Sequence, residues 1–361
     1  MSDAYFLFIG SCNRKTPYFA SANGAGVSIY RFDEERLEAT KVTEYSDIDN
    51  PTYLSVSADG KAVYANSEIF GWREGLVTAL SFESKSGALG YLNMQPSRGS
   101  ITAHNVVSRD GKNLMVANYG MGDGGPDQSL VVFPFTGEDG LYPPSASIRQ
   151  IGQGPDTARQ ERSHAHSVVE ISDNVFVVAD LGCDTLTSYR LEGDQLHRLS
   201  QTQCGAGAGP RHTALHPNGR FLYVLNELNS TCSSFAVDAR SGALTPISST
   251  KALQDTGGNH CSDIQISSDG RFLYGGNRGH DSISVFKTLD NGEVELLSSI
   301  PCGGKTPRNL ALSPSGRHLF CANQDSDRIS VFERNAETGQ LRDTGAYIEA
   351  GTPTCIKTSA A

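Results

Sequence analysis

A hairpin motif that recurs six times at blade-like spacing, a turn chemistry suited to tight β-hairpins, and two terminal segments that each read as part of one more repeat predict an all-β fold. The expected architecture is a seven-bladed β-propeller of four-stranded antiparallel blades, its N- and C-terminal segments sharing one blade. In each repeat a polar residue is followed fourteen positions later by Asn or Asp: Thr52/Asn66, His104/Asn118, His166/Asp180, His212/Asn226, Asp263/Asn277 and Asn309/Asn323. Between the members run an apolar stretch, a turn and a second apolar stretch, as in PRHTALHPNGRFLYVLNE from Pro210. A hairpin sets the start of its first strand beside the end of its second. Both members of each pair are therefore expected on one face of the ring.

The hairpin turns carry Asp59-Gly60, Asp110-Gly111, Asn218-Gly219, Asp269-Gly270 and Ser315-Gly316, with Asp173-Asn174 in the third repeat. These residues tolerate the positive φ angles of a tight turn. Counted between positions 60, 111, 173, 219, 270 and 316, the intervals are 51, 62, 46, 51 and 46 residues, close to a propeller period. A helical solenoid would need apolar spacing of three and four, which is absent. Each hairpin is followed by a β-rich run, such as LVTALSF (76–82) or SISVFK (282–287), then a turn and a fourth run. GTPTCIKTS (351–359) aligns with NPTYLSVS (50–57), and YFLFIG (5–10) supplies a second strand, so the two segments complete a seventh blade. Such closure removes free sheet edges.

No Pro/Gly/Ser-rich linker or charge run divides the chain, so residues 1–361 are read as a single propeller domain. A formal net charge of -10 argues against nucleic acid or anionic lipid as a partner. The eight cysteines form no Cys-x-x-Cys pair, and the N-terminus has neither a basic segment nor a long apolar one. These features predict a cytoplasmic protein without disulfides, and no apolar stretch is long enough to span a membrane.

The longest connections, 11–26, 67–75, 119–128 and 150–164, all fall on one face, which is the expected binding face. GMGDGGPD from Gly120 reads as a flexible rim rather than a phosphate loop, since no GK[ST] follows. GAGAGP from Gly205 reads as a close approach of backbone to the channel. The same face receives His104, His164, His166, Arg211, His212, Glu227, Asp263, Arg278 and Arg308. For His104, His212 and Asp263 the alternative to function is a buried blade cap, and for Asn66, Asn118 and Asn226 the cap is the preferred reading. Arg211, Glu227 and Arg278 need a ligand or one another, because long charged side chains near a channel are not left unpaired.

The stretches RSHAHSVV from Arg162, GAGPRHTALHPNGRFLYVLNEL from Gly207 and GGNRGHDSISVF from Gly275 resemble the seven-bladed propeller lactonase family. That family includes a bacterial 6-phosphogluconolactonase and the fungal 3-carboxy-cis,cis-muconate lactonizing enzyme, and the similarity covers the whole chain. The resemblance implies a catalytic site of His164 or His166 with Arg211, Glu227 and Arg278. The family joins lactone hydrolysis and muconate cyclisation on nearly the same residues. The leading expectation is a carboxylic-ester hydrolase that opens an anionic sugar-acid lactone, with no cofactor and no metal because the interleaved arginines repel a cation. His104, His212, Asp263 and Arg308 are read as substrate-binding. His164 or His166 together with Glu227, its pKa tuned upward by partial burial, is expected to move the proton, and the arginines to hold an anion or oxyanion. A carboxymuconate cycloisomerase, a metal-assisted hydrolase and a non-catalytic binding scaffold are the rival readings.

Overall fold

The computed structural model describes residues 4–122, 124–136, 139–255 and 257–360. Asp123 of the glycine-rich segment lies outside them. Seven antiparallel sheets follow in chain order, and their first strands neighbour one another around a closed ring. The first blade uses Pro51–Val56, Ala62–Ser67, Leu76–Glu83 and Ala88–Pro96. The third to sixth repeat this plan, opening with Ala165–Ser172, Pro210–Leu215, His260–Ile266 and Pro307–Leu312. In the second blade the outermost strand is broken in two, Gly140–Leu141 and Ala146–Ile148, both pairing with Leu130–Thr136. The seventh is composite, as expected: Pro353–Ala360 pairs with Ala4–Ser11, which leads to Val27–Asp33 and Glu38–Tyr45.

The turn chemistry is visible in the backbone. Gly219 sits at φ 70°, and Asn174, in the shorter glycine-free turn of the third repeat, sits at φ 58°. Asn is among the few L residues that enter this left-handed region readily. Packing between blades is equally regular, because each of the seven buried apolar clusters joins two neighbouring sheets. Between the sixth and seventh blades the Phe32 and Phe320 rings meet edge to face at 5.0 Å. Truncating such a ring to Ala removes about 3–5 kcal/mol.

Three of the Asn residues at the ends of second strands are caps. Asn226 donates to Thr231 and Ser233 Oγ atoms, Asn277 to Ser282 and Ser284, and Asn323 to Ser330. Each clips its strand to the next and is fully buried. No helix among the described residues is long and apolar enough to cross a membrane.

One regular feature escaped the sequence reading: the register slips near the channel mouth in every innermost strand. Pro210 faces Asn226 while His212 faces Leu225, leaving Arg211 as an extra residue, and Pro307 and Asn309 likewise flank Arg308. The same slip makes Thr52, Ala103, His166 and Thr354 the extra residues of their blades. A β-bulge breaks the in–out alternation of a strand and re-aims the added side chain. In these six blades the extra residue lies on the wall of one cavity, whereas in the fifth blade the slip falls at Ser262 and Asp263, which do not line it.

Candidate functional site

That cavity occupies about 590 Å³ at the channel mouth, on the face that carries the long connections. Its charge is concentrated on the arc from the third to the sixth blade. Glu227 follows the strand Phe221–Asn226 and is buried, with its carboxylate shared among three guanidiniums. Arg159 Nη2 lies 2.6 Å from Oε1, while Arg278 Nη2 and Arg211 Nε lie 2.8 and 3.0 Å from Oε2. The Arg211 Nε–H does not point along that line and is left without a hydrogen bond, so this contact is an ion pair, while Nη1 donates to Ser262 O at 2.8 Å. Arg278 is held by the carbonyls of His260 and Cys261. Three cations around one anion leave a local excess of positive charge on this part of the wall, while Glu68, Glu161 and Asp325 line the cavity elsewhere.

Burial alone would push the Glu227 carboxyl up, but Arg278, Arg211 and Arg159 outweigh it and hold the pKa well below the usual carboxylate range. This is opposite to the upward tuning expected from partial burial. An ionised, triply paired carboxylate is a weak base, and its contacts tie the three guanidiniums together. Burial, followed by the repulsion of Arg278, brings the Arg211 pKa down to about 9, which leaves it charged at neutral pH. Burial also lowers Arg278. For Arg159 burial works against the charge, but Glu227 outweighs it and raises the pKa.

Four histidines cluster beside this arc. His164 Nδ1 donates to the carbonyls of Tyr119 and Gly120, both at 3.0 Å, its ring stacks on Tyr119 at 4.0 Å, and Nε2 lies 3.2 Å from the Glu161 carboxylate. Its backbone is set by Asp180, which accepts the His164 N–H at 2.8 Å. His166 lines the cavity with a buried Nδ1 that has no hydrogen-bond partner among the described residues. The His212 ring centroid lies 5.3 Å from those of His166 and His104, and Asp263 Oδ1 lies 2.7 Å from its Nδ1. Burial first, and then cationic or imidazole neighbours, hold His104, His166 and His212 well below the ordinary histidine pKa. All three are neutral at pH 7.

Of the residues singled out from sequence, His164, His166, Arg211, His212, Glu227, Arg278 and Arg308 reach the cavity wall. His104 and Asp263 do not. His104 lies behind the wall, its ring tilted 33° against that of Tyr53 at 4.1 Å, and Asp263 backs His212. Arg308 stands apart from the Glu227 group, 4.7 Å over the Phe19 ring and 3.7 Å from Glu68.

Sequence reasoning missed Arg159, Glu161, Tyr119 and Glu68, which also line the cavity. The first two lie in the connection 150–164 that loop length had flagged, but no periodicity marks a residue inside a loop. Asp184 was missed as well. Its carboxylate accepts the N–H groups of Gly207 and Gly209 and the Gln160 side-chain amide, at 2.6, 2.7 and 2.7 Å. It thereby ties the GAGAGP turn to the loop that carries Arg159. The glycine-rich segment from Gly120 is likewise tethered, because Asp127 pairs with both Arg149 and Arg162. No group of three or more His, Cys, Asp or Glu among the described residues is arranged to hold a metal.

A family model described as "Lactonase, 7-bladed beta-propeller" matches residues 6–358. The chain belongs to the seven-bladed β-propeller lactonase family. It is 29% identical to the 6-phosphogluconolactonase of Bacillus subtilis, covering 94% of this chain and 96% of that one. It is 32% identical to the 6-phosphogluconolactonase of Formosa agariphila, covering 93% and 94%. Among solved structures, the periplasmic gluconolactonase of Pseudomonas aeruginosa superposes with a TM-score of 0.88 at 27% identity, covering 99% of both chains. Membership in the lactonase family accounts for the closed ring and supports hydrolysis of a lactone.

Proposed function

We propose that this lactonase opens an anionic sugar-acid lactone, 6-phosphogluconolactone or a related aldonic, aldaric or uronic lactone, to the free acid. The observation that carries the reading is the sharing of the single Glu227 carboxylate by Arg159, Arg211 and Arg278. The excess positive charge suits a phosphate or carboxylate on the substrate, or the oxyanion formed when water adds to the carbonyl. A lactone is already electrophilic. What the protein must add is a fixed pose, a proton acceptor and support for the oxyanion.

Arg211 and Arg278 take the anion or oxyanion through their planar guanidiniums, and Glu227 positions both. Proton transfer falls to a cavity imidazole of His164, His166 or His212. Arg308 and His212 face the substrate, while His104 and Asp263 act from behind the wall. The eight cysteines are all unpaired, which supports a reducing cytoplasm as the working compartment. The Pseudomonas neighbour is periplasmic by name.

Because the same cationic arc suits a dicarboxylate, cyclisation of a carboxymuconate is the competing reading. A panel of phosphorylated and unphosphorylated δ-lactones and muconates, followed by lactone loss and acid release, separates the two. Arg211→Ala and Glu227→Gln are each expected to lower lactone hydrolysis by on the order of 10²-fold or more. Parental rates in both folded variants would overturn the assignment.

A further inference from the structure

Four imidazoles line the cavity, those of His164, His166, His212 and His260, and of these only His212 has its Nδ1 against a carboxylate among the described residues. Its Nδ1 meets Asp263 Oδ1 at 2.7 Å. The other Asp263 oxygen accepts from Asn309 Nδ2 at 2.7 Å, from the Leu310 N–H at 3.0 Å and from Gln265 Nε2 at 3.0 Å. A carboxylate loaded with three donors is an acceptor toward the fourth, so His212 Nδ1 carries the proton and Nε2 the lone pair. The ring lines the cavity, and Nε2 makes no hydrogen bond among the described residues. In His166 nothing fixes which nitrogen is protonated, and in His164 the Glu161 carboxylate covers Nε2.

The bulge supplies a second, independent observation. Successive residues of a regular strand face opposite sides, yet Arg211 and His212 both reach the same cavity because the register slips between Pro210 and His212. A cation and an imidazole are thus delivered side by side from consecutive positions.

We propose that His212, oriented by Asp263, is the base that takes the proton from the attacking water, an assignment that rests on the hydrolytic reading above. The water oxygen bonds to the lactone carbonyl carbon as one of its protons passes to Nε2, and Arg211 faces the oxyanion. The ring C–O bond then breaks, the imidazolium returns its proton to the leaving alkoxide, and the hydroxy acid ionises to solvent. One water is consumed and the imidazole is regenerated. The groups around the ring are Arg211, Lys357, Arg308, Arg278, Asp263, His104, His166 and Tyr53. Burial first, with Arg211 and Lys357 next, keeps the resting imidazole neutral, and Asp263 steadies the imidazolium as it forms.

The test compares kcat, the affinity for the free acid product, and the pH profile in the parent, His212→Gln, His212→Ala and Asp263→Asn. The His212 variants are expected to lose on the order of 10²-fold or more in kcat, with product affinity kept to within about threefold and part of the rate restored to His212→Ala by added imidazole. Asp263→Asn is expected to lower kcat at least about tenfold and to move the acid limb of kcat/KM to lower pH, since the imidazolium loses its partner. Parental kcat in a folded His212 variant, or product affinity that falls in step with kcat, overturns the assignment. Should neither His212 variant fold, Asp263→Asn decides, and an unchanged kcat overturns it. A parent that opens no lactone while binding sugar acids overturns the hydrolytic reading first and this assignment with it.

Discussion

Two buried carboxylates, one on each face of the ring, are wrapped by cations in different ways. On the lower face Glu34 of the seventh blade accepts from Ser315 Oγ at 2.6 Å, Arg317 Nη2 at 2.6 Å and His318 Nδ1 at 3.0 Å, all from one hairpin of the sixth blade. On the upper face Glu227 is met by guanidiniums from three separate segments. The first arrangement is local and close to charge balance, so it works as a latch between neighbouring blades. The second gathers more positive charge than its carboxylate can neutralise, and the surplus is directed at a cavity. The comparison teaches that a buried ion pair becomes a candidate binding site through the imbalance of its charges rather than through its burial.

The sharpest break in that comparison comes from removing surplus charge above and matched charge below. Arg278→Ala should lower kcat/KM for an anionic lactone by on the order of 10²-fold, with little effect on the melting temperature. Arg159→Ala, whose guanidinium is about one-third exposed, should cost about tenfold, mostly through KM, and less toward an uncharged lactone. Steady-state kinetics on both substrates reads the difference. Glu34→Gln should reverse the pattern, losing about 1–3 kcal/mol of stability in denaturant unfolding while each folded molecule keeps its rate. A Glu34 variant with impaired kcat but parental stability would break the division between latch and site.

The smallest effects are those of pH on stability. In the folded chain His104, His166 and His212 titrate well below the ordinary histidine value near 6.5, so below that pH the unfolded state binds more protons and stability falls. Burial would raise the Glu34 carboxyl, but hydrogen bonds from Ser315, His318 and Arg317 bring it from 4.5 to about 2. Its stabilisation is therefore complete above about pH 4.5 and is lost as pH falls toward 2. Thermal melts should show both declines in the parent, and in Glu34→Gln the histidine decline unchanged and the second one shallower.

The blades were legible because their signals are local: turn residues, strand-length apolar runs and a regular period. The composite seventh blade was legible for the same reason, through the likeness of GTPTCIKTS to NPTYLSVS. The bulges were not, although proline opens four of the innermost strands, at Pro51, Pro210, Pro307 and Pro353. Without them, a residue could be placed on a strand but not on one side of it, which is why His104 and Asp263 were grouped with residues that reach the cavity. The direction of the Glu227 shift was hidden too. It depends on Arg159, which arrives from a loop sixty-eight positions away in sequence.

The composite blade also governs when the cavity can exist. Thr354 bonds to the Gly10 carbonyl across 344 positions, and Lys357 of the same strand donates to Tyr53 OH behind the histidines. A nascent chain that has not yet reached residue 353 lacks one wall of the channel, however well its other sheets have formed. Contacts this distant in sequence form slowly, so activity should emerge late in refolding, after most of the β-sheet signal has already returned.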